Sequence, residues 1–340
     1  MCEISKGEQL NRATLSERGR IPVYNGGTSP SGYAKESNTD AESIIISEGG
    51  NSCGYVNFVH TPFWRGGHCY LLKTDIDKAL LYCILKANEP KIMSLRVGTG
   101  LPNIQRKRLN SFEFNLPTSK VQQQHIILAF TSIDANIAAL QSLITKYEAI
   151  KKATVNLLLE PKAGWKRMKL DEICMCLDNY RKPVNEVERA GMQGDIPYCG
   201  ANGIVDYVND FTIDDSIILI AEDGGYFDQY ESRPIAYRMS GKAWINNHAH
   251  ILKAKSDYCQ AFIFYSLEHK DITPFITSGT RAKLTKGELS NIEIDTPSSF
   301  QEQRKIAEQI TAIDNVLAAY KAQLEKARQL KAGMMSYFFG

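Results

Sequence analysis

Two stretches concentrate the side chains that could do chemistry. Arg96-Val97-Gly98-Thr99-Gly100-Leu101-Pro102-Asn103-Ile104-Gln105-Arg106-Lys107-Arg108 and Ser278-Gly279-Thr280-Arg281-Ala282-Lys283-Leu284-Thr285-Lys286 are basic and contain glycine, and each lies just ahead of a long segment of periodic apolar residues. Guanidinium and ammonium groups on such loops can approach phosphates closely, and arginine can read guanine edges through two parallel hydrogen bonds. Amides in turns, here Asn25, Asn103, Gln105, Asn202, Asn246 and Asn247, can address adenine in the same way. The expected nucleic-acid contacts are therefore these amides with Tyr24, Arg65, Arg96, Arg106, Lys107 and Arg108 in the first half, and with Tyr198, Tyr226, Arg233, Arg281, Lys283 and Lys286 in the second. Charged loops are commonplace on protein surfaces; recurrence at matching places in both halves sets these apart.

Catalytic patterns are missing from the sequence. It has no Gly-x-x-x-x-Gly-Lys-Ser/Thr loop to cradle a nucleotide, no Asn-Pro-Pro-aromatic tetrapeptide of an amino-methyltransferase and no acidic nuclease cluster. Val97-Gly98-Thr99-Gly100 is too short for a dinucleotide fingerprint. Cys174-Met175-Cys176 and His248-Ala249-His250 carry donor atoms for a metal, yet the alternation of a strand explains both equally well. Glu222-Asp223-Gly224-Gly225 with Asp228 reads as a turn after a buried strand. The expectation is a non-catalytic chain holding neither metal nor cofactor.

The elements that must position these loops are strands and two long helices. Arg20–Tyr24, Ser43–Ser47, Gly66–Lys73 and Phe112–Leu116 read as strands and Asp77–Lys86 as a short helix; Asp195–Gly200 and Ser216–Ala221 replay the first two strands. Apolar positions then step alternately by four and three through Ile126, Phe130, Ile133, Ile137, Leu140, Ile144 and Tyr147, with a break at Lys151. The same pattern runs through Ile306, Ile310, Ile313, Leu317, Tyr320, Leu324 and Ala327, with a break at Lys331. These are heptad seams. Residues 109–159 and 289–339 match without a gap at thirteen of fifty-one places, against roughly three for unrelated sequences, so the chain contains an internal duplication. Ser119 and Ser299 each stand three residues before Gln122 or Glu302, the spacing of a capping box.

With 340 residues, 43% hydrophobic and 23% charged, the chain has room for two or three ordinary globular domains. It carries neither signal-peptide sections nor an uninterrupted apolar run of about 18 residues, which points to a cytoplasmic protein without a membrane partner. Eight scattered cysteines suit buried thiols in a reducing compartment. A net charge of only +2 leaves any nucleic-acid role to local clusters.

A strand ending in Pro117 or Pro297, then Ser-x-x-Gln/Glu-Gln and an Ile-rich helix carrying Ile133-Asp134 or Ile313-Asp314, is repeated with a variable domain before each copy. This arrangement, covering the whole chain, resembles the specificity subunit of type I restriction–modification systems. The resemblance implies a mixed α+β fold with target recognition domains at 1–116 and 161–296. It further implies long helices at 117–160 and 297–340 that pair as an antiparallel coiled coil and set the unread spacer of a bipartite site in double-stranded DNA. Methyltransferase subunits using S-adenosylmethionine would dock on it, as would restriction subunits using magnesium and ATP. A type IIB-like system, in which one polypeptide joins methylation and cleavage, fits the short chain equally. The first half lacks the Trp-x-x-x-x-Leu lead-in found at Trp165.

Overall fold

The structure, a computed structural model, describes residues 2–98, 100–277 and 282–339. It divides into two compact units, Met1–Leu143 with Tyr320–Gly340, and Ile144–Ala319.

In the first unit, strands β1 (Cys2–Lys6), β2 (Ile21–Tyr24), β3 (Tyr33–Ala34), β4 (Ser43–Ser47), β5 (Val56–Val59), β6 (Trp64–Arg65) and β7 (Cys69–Thr74) are followed by helices α1 (Lys78–Ala87), α2 (Glu89–Ser94) and α3 (Arg106–Asn110) and by the start of the long α4 (Lys120–Leu159). The main sheet has the order β1-β7-β4-β5 and is antiparallel throughout; a smaller one, β3-β2-β6, contains the parallel pair β2/β6. Strand β4, Ser-Ile-Ile-Ile-Ser, is buried at every position. Alternation sends Ile44 and Ile46 toward Leu81, Leu85 and Ile92, and Ile45 to the opposite face with Val59 and Phe63. Each isoleucine so covered contributes about 1.5–3 kcal/mol. Asp77 starts α1 by accepting the amides of Ala79 and Leu80.

The second unit contains β8 (Lys166–Lys169), α5 (Leu170–Ile173), β9 (Cys174–Cys176), α6 (Glu186–Ala190), β10 (Gln193–Gly200), β11 (Gly203–Val208), β12 (Ile213–Asp214), β13 (Ile217–Ala221), β14 (Ala236–Met239), β15 (Lys242–Ile245), β16 (Ala249–Ala254), α7 (Gln260–Glu268), α8 (Lys286–Asn291) and β17 (Glu293–Thr296), and leads into α9 (Phe300–Phe339). Its sheet β9-β16-β13-β14 repeats the first strand for strand, and β11-β10-β15-β12 again holds a parallel pair, β10/β15. Ile218 and Ile220 face Phe262 and Ile263 of α7, while Ile217 and Leu219 face Cys199 and Ile245.

One difference overturns an expectation. β17 pairs with β8, and Trp165 ahead of β8 sets its ring edge-on to Phe262 at 5.9 Å and its indole N–H 3.2 Å from Glu302 Oε1. The counterpart of β17, residues 112–116, is not a strand: no described segment forms a ladder with it.

Both long helices run for 40 residues, about 60 Å at 1.5 Å per residue. Their seams are buried at Ile126, Phe130, Ile133, Leu140, Ile144, Ile306, Ile310, Leu317 and Leu324, and half-buried at Ile137, Ile313 and Tyr320. Within the first unit Phe130 stacks on Phe339 at 5.9 Å while Asp134 meets Lys331, so numbering falls along one helix as it rises along the other. The pairing is antiparallel. In the second unit Lys151 lies 2.8 Å from Asp314 and 3.0 Å from Glu268. The polar break in each seam is thus a lysine answering the duplicated Ile-Asp of the other helix. At both helix starts the serine accepts the expected amide, Gln122 N–H to Ser119 Oγ and Glu302 N–H to Ser299 Oγ, each at 3.4 Å. The side chain turning back is one position later than the capping box predicts: Gln123 and Gln303 donate to Pro117 O and Pro297 O at 2.6 and 2.9 Å. By length and composition alone α4 is apolar enough to cross a bilayer; its seam is instead occupied by α9 and by the domain cores.

All eight cysteines are free thiols. Burial pushes Cys69, Cys83 and Cys199 up to about 11 and Cys174 to about 12, which keeps them protonated and unreactive.

Candidate nucleic-acid interface

Each unit gathers its candidates at one end of its main sheet. In the first, β4 runs into Glu48-Gly49-Gly50; Glu48 N–H donates to His68 O and its carbonyl accepts Ile104 N–H, both at 2.8 Å. Val97 and Asn103 exchange two backbone bonds of 2.8 and 3.0 Å and close the neck of the basic stretch. The second unit repeats this frame. Glu222 N–H donates to His248 O and Leu284 N–H to Glu222 O, again at 2.8 Å, and Thr277 exchanges bonds of 2.9 and 3.4 Å with Lys283. Gly26, after β2, has φ +92° and donates its N–H to Cys69 Sγ at 3.1 Å; a Cβ there would lie 3.1 Å from His68 Cβ.

Within this frame the Glu48 carboxylate meets Lys6 Nζ at 2.7 Å, the Tyr70 hydroxyl at 3.1 Å and His68 Nδ1 at 3.4 Å. Tyr70 Oη also lies 3.0 Å from Ile104 O, and burial together with the Glu48 charge pushes the phenol up to about 12. In the second unit Glu222 meets Lys283 Nζ at 2.7 Å and the Arg181 guanidinium. The counterpart of Tyr70 is His250, 1% exposed, with Nδ1 2.6 Å from Asp178 Oδ2 and Nε2 2.8 Å from Leu284 O. Arg181 Nη2 stands 3.1 Å from Asp178. Burial alone would raise the Glu222 carboxyl, but the Lys283 and Arg181 hydrogen bonds hold it below the usual range. Asp178 is likewise raised by burial and carried below that range by His250 and the Ile251 amide.

Cys176, Asp178 and His250 bring three potential metal-ligand atoms within 4.8 Å of one another. In this structure both His250 nitrogens already have partners, and Asp178 is ion-paired with Arg181.

Most of the sequence candidates are on the surface of this frame. Arg96, Asn103, Gln105, Arg106, Lys107 and Arg108 are exposed in the first unit, as are Asn202, Arg233, Asn247, Lys283 and Lys286 in the second. Asn25 accepts the His68 N–H at 3.2 Å, Asn202 donates to Gly224 O at 2.9 Å, and Arg233 stacks over half-buried Tyr226 at 4.1 Å. Four candidates turn inward and serve the scaffold. Tyr198 is 2% exposed, with its hydroxyl on Val184 O. Asn246, 7% exposed, accepts the His248 N–H. Tyr24 packs edge-on to Phe63 at 5.7 Å, and Arg65 donates to Ser5 O and Oγ at 3.1 and 2.9 Å. The partners that fix them come from other segments, which local spacing does not show. Arg281, with residues 278–280, lies outside the described residues.

Sequence reasoning missed Lys6, Glu48, Asp178 and Arg181 as members of the cluster. One signal was available: His68-Cys69-Tyr70-Leu71-Leu72-Lys73 and His248-Ala249-His250-Ile251-Leu252-Lys253 stand at the same displacement of 180 positions as the helices.

The sequence matches the type I restriction modification DNA specificity domain over residues 1–149 and again over 162–328. A chain from Mycoplasma genitalium, described as a type I specificity subunit, is 25% identical across the whole of this chain and 91% of its own length. A type I restriction enzyme specificity subunit of Haemophilus influenzae is 39% identical over 146 residues, which are 42% of this chain and 37% of that one. The crystal structure of a type I restriction–modification S subunit from M. genitalium superposes with a TM-score of 0.78 at 22% identity, covering all of this chain and 94% of that one, and shares the fold. The chain belongs to the family of type I restriction–modification DNA specificity proteins.

Proposed function

We propose that this chain is the non-catalytic reader of a restriction–modification complex. Each unit binds one half-site of an asymmetric, bipartite sequence in double-stranded DNA, and the helical pair sets the unread spacer. The observation that carries this reading is the duplicated frame, in which one topology presents Asn103, Gln105 and Arg106–Arg108 in one copy and Asn202, Asn247, Lys283 and Lys286 in the other. Constant backbone with different exposed polar groups is what two readers of unlike half-sites require, since base contacts specify while phosphate contacts position. Methyltransferase subunits carrying S-adenosylmethionine, and restriction subunits using magnesium and ATP, would dock on the long helices. Exposed apolar side chains there support this, with Val121, Leu128 and Leu157 on α4 and Leu330 and Tyr337 on α9. The reading places the complex in the cytoplasm, where the chromosome is its substrate.

Base-resolution methylation mapping of DNA from cells expressing this chain with its neighbouring genes tests the reading. The expected result is one motif of two unlike half-sites around an unspecified spacer, methylated on adenine. Partner subunits that bind the chain yet modify no motif would overturn it.

A further inference from the structure

Glu48 and Glu222 are the first residues beyond the central strand of each main sheet, and their side chains are only 15% and 14% exposed. They sit in identical backbone frames, joined to His68 and Ile104 in one unit and to His248 and Leu284 in the other. The side chains around them differ: Lys6, His68 and Tyr70 in the first, Arg181, Lys283 and His250 in the second. What the two clusters share is a carboxylate under a basic loop, touching both a cation and the ring that holds the loop carbonyl.

A buried negative charge is a poor neighbour for a polyanion. Its presence at the centre of a surface read as facing DNA calls for a compensating benefit. We propose that Glu48 and Glu222 are positioning residues that hold the basic side chains and loop of each reader in place, lowering general affinity for phosphate in exchange for discrimination between bases. The inference rests on the DNA-reading function proposed above. In the second unit Lys283 Nζ is held on Glu222 and kept from wandering to whichever phosphate is nearest, while the Arg181 guanidinium is shared between Glu222 and Asp178. Counterion release makes each freed cation visible as a steeper dependence of binding on salt.

The test uses the complete complex with Glu222→Gln and Glu48→Gln, which keep shape and remove charge. Glu222→Gln is expected to tighten binding to DNA lacking the site by about 3- to 10-fold and to steepen the salt slope by about one, as Lys283 is released while Arg181 stays on Asp178. Mapped methylation should then accept extra bases in one half-site, with discrimination there falling about 10-fold. Glu48→Gln should relax the other half-site instead, with a similar change in salt slope because Lys6 is released. Glu222→Asp, which retains the charge, should restore the motif. Unchanged motifs and slopes in both glutamine variants would overturn the proposal. So would loss of methylation at all sites with a lowered Tm, the mark of a purely architectural role. The unmodified complex, run alongside, separates the two ideas: a bipartite motif there with unaltered variants refutes only the carboxylate role, whereas no bipartite motif there refutes the reading beneath it.

Discussion

In the first unit the loop carbonyl of Ile104 is held by a phenol, and in the second the loop carbonyl of Leu284 is held by an imidazole. Tyr70 has one carboxylate neighbour, Glu48, and its single hydroxyl proton is shared between that carboxylate and Ile104 O. His250 has a partner at each ring nitrogen, Asp178 Oδ2 at Nδ1 and Leu284 O at Nε2, with Glu222 3.8 Å from Nε2. Arg181 tethers both carboxylates. The same backbone frame is thus braced by a mainly neutral contact in one copy and by a charged network in the other. A duplicated scaffold can keep its geometry while its chemistry drifts, provided every buried polar atom keeps a partner.

The comparison breaks most visibly if each brace is removed. His250→Leu strands Asp178 and Arg181 in a buried place and should cost the second unit about 3–5 kcal/mol, whereas Tyr70→Phe loses one shared hydroxyl and should cost the first unit about 1 kcal/mol. Denaturant titration followed by hydrogen exchange assigns each loss to its unit, and equal costs would refute the neutral-versus-charged distinction.

The two helix bridges offer a second contrast. Lys151 lies between Asp314 and Glu268, and although burial disfavours its charge, these carboxylates hold its pKa above the ordinary value. Lys331 faces Asp134, whose side chain is 43% exposed. Lys151→Met should therefore destabilise by about 2 kcal/mol and Lys331→Met by less than about 1 kcal/mol, read as shifts in denaturation midpoint. The reverse order would show that the second carboxylate contributes nothing.

The smallest effect is the dependence on acid. Asp178 and Glu222 have folded pKa values below their ordinary 3.8 and 4.5. Their contribution is complete above those ordinary values and is lost as pH falls through the depressed ones. As pH falls below 4.5 and on through the depressed values, the second unit should lose amide protection ahead of the first; simultaneous loss would place the acid-sensitive groups elsewhere.

Much of this was legible in the residues. The heptad positions announced both helices and their duplication, and Ile-rich runs such as 44–46 announced strands covered on both faces. Less legible was anything requiring register. Tyr198 and Asn246 look available and are buried by tertiary contacts, Tyr198 among Val184, Val208 and Trp244, and Asn246 just past β15, where it accepts the His248 N–H. Phe112–Leu116 alternates like a strand, but a strand needs a neighbour and the sequence does not say where one comes from. The ionic braces join residues as distant as Asp178 and His250, a pairing that no local spacing encodes.

The duplicated aspartate and lysine also bear on how such a chain can change. Each unit takes its aspartate from one long helix and its lysine from the other, so Asp134 finds Lys331 and Asp314 finds Lys151. A genetic exchange that replaces either half with that of a relative carrying the same two residues delivers one member of each bridge and finds the other waiting. The joint is indifferent to the ancestry of its halves, so that the domain each half carries can be exchanged as a cassette.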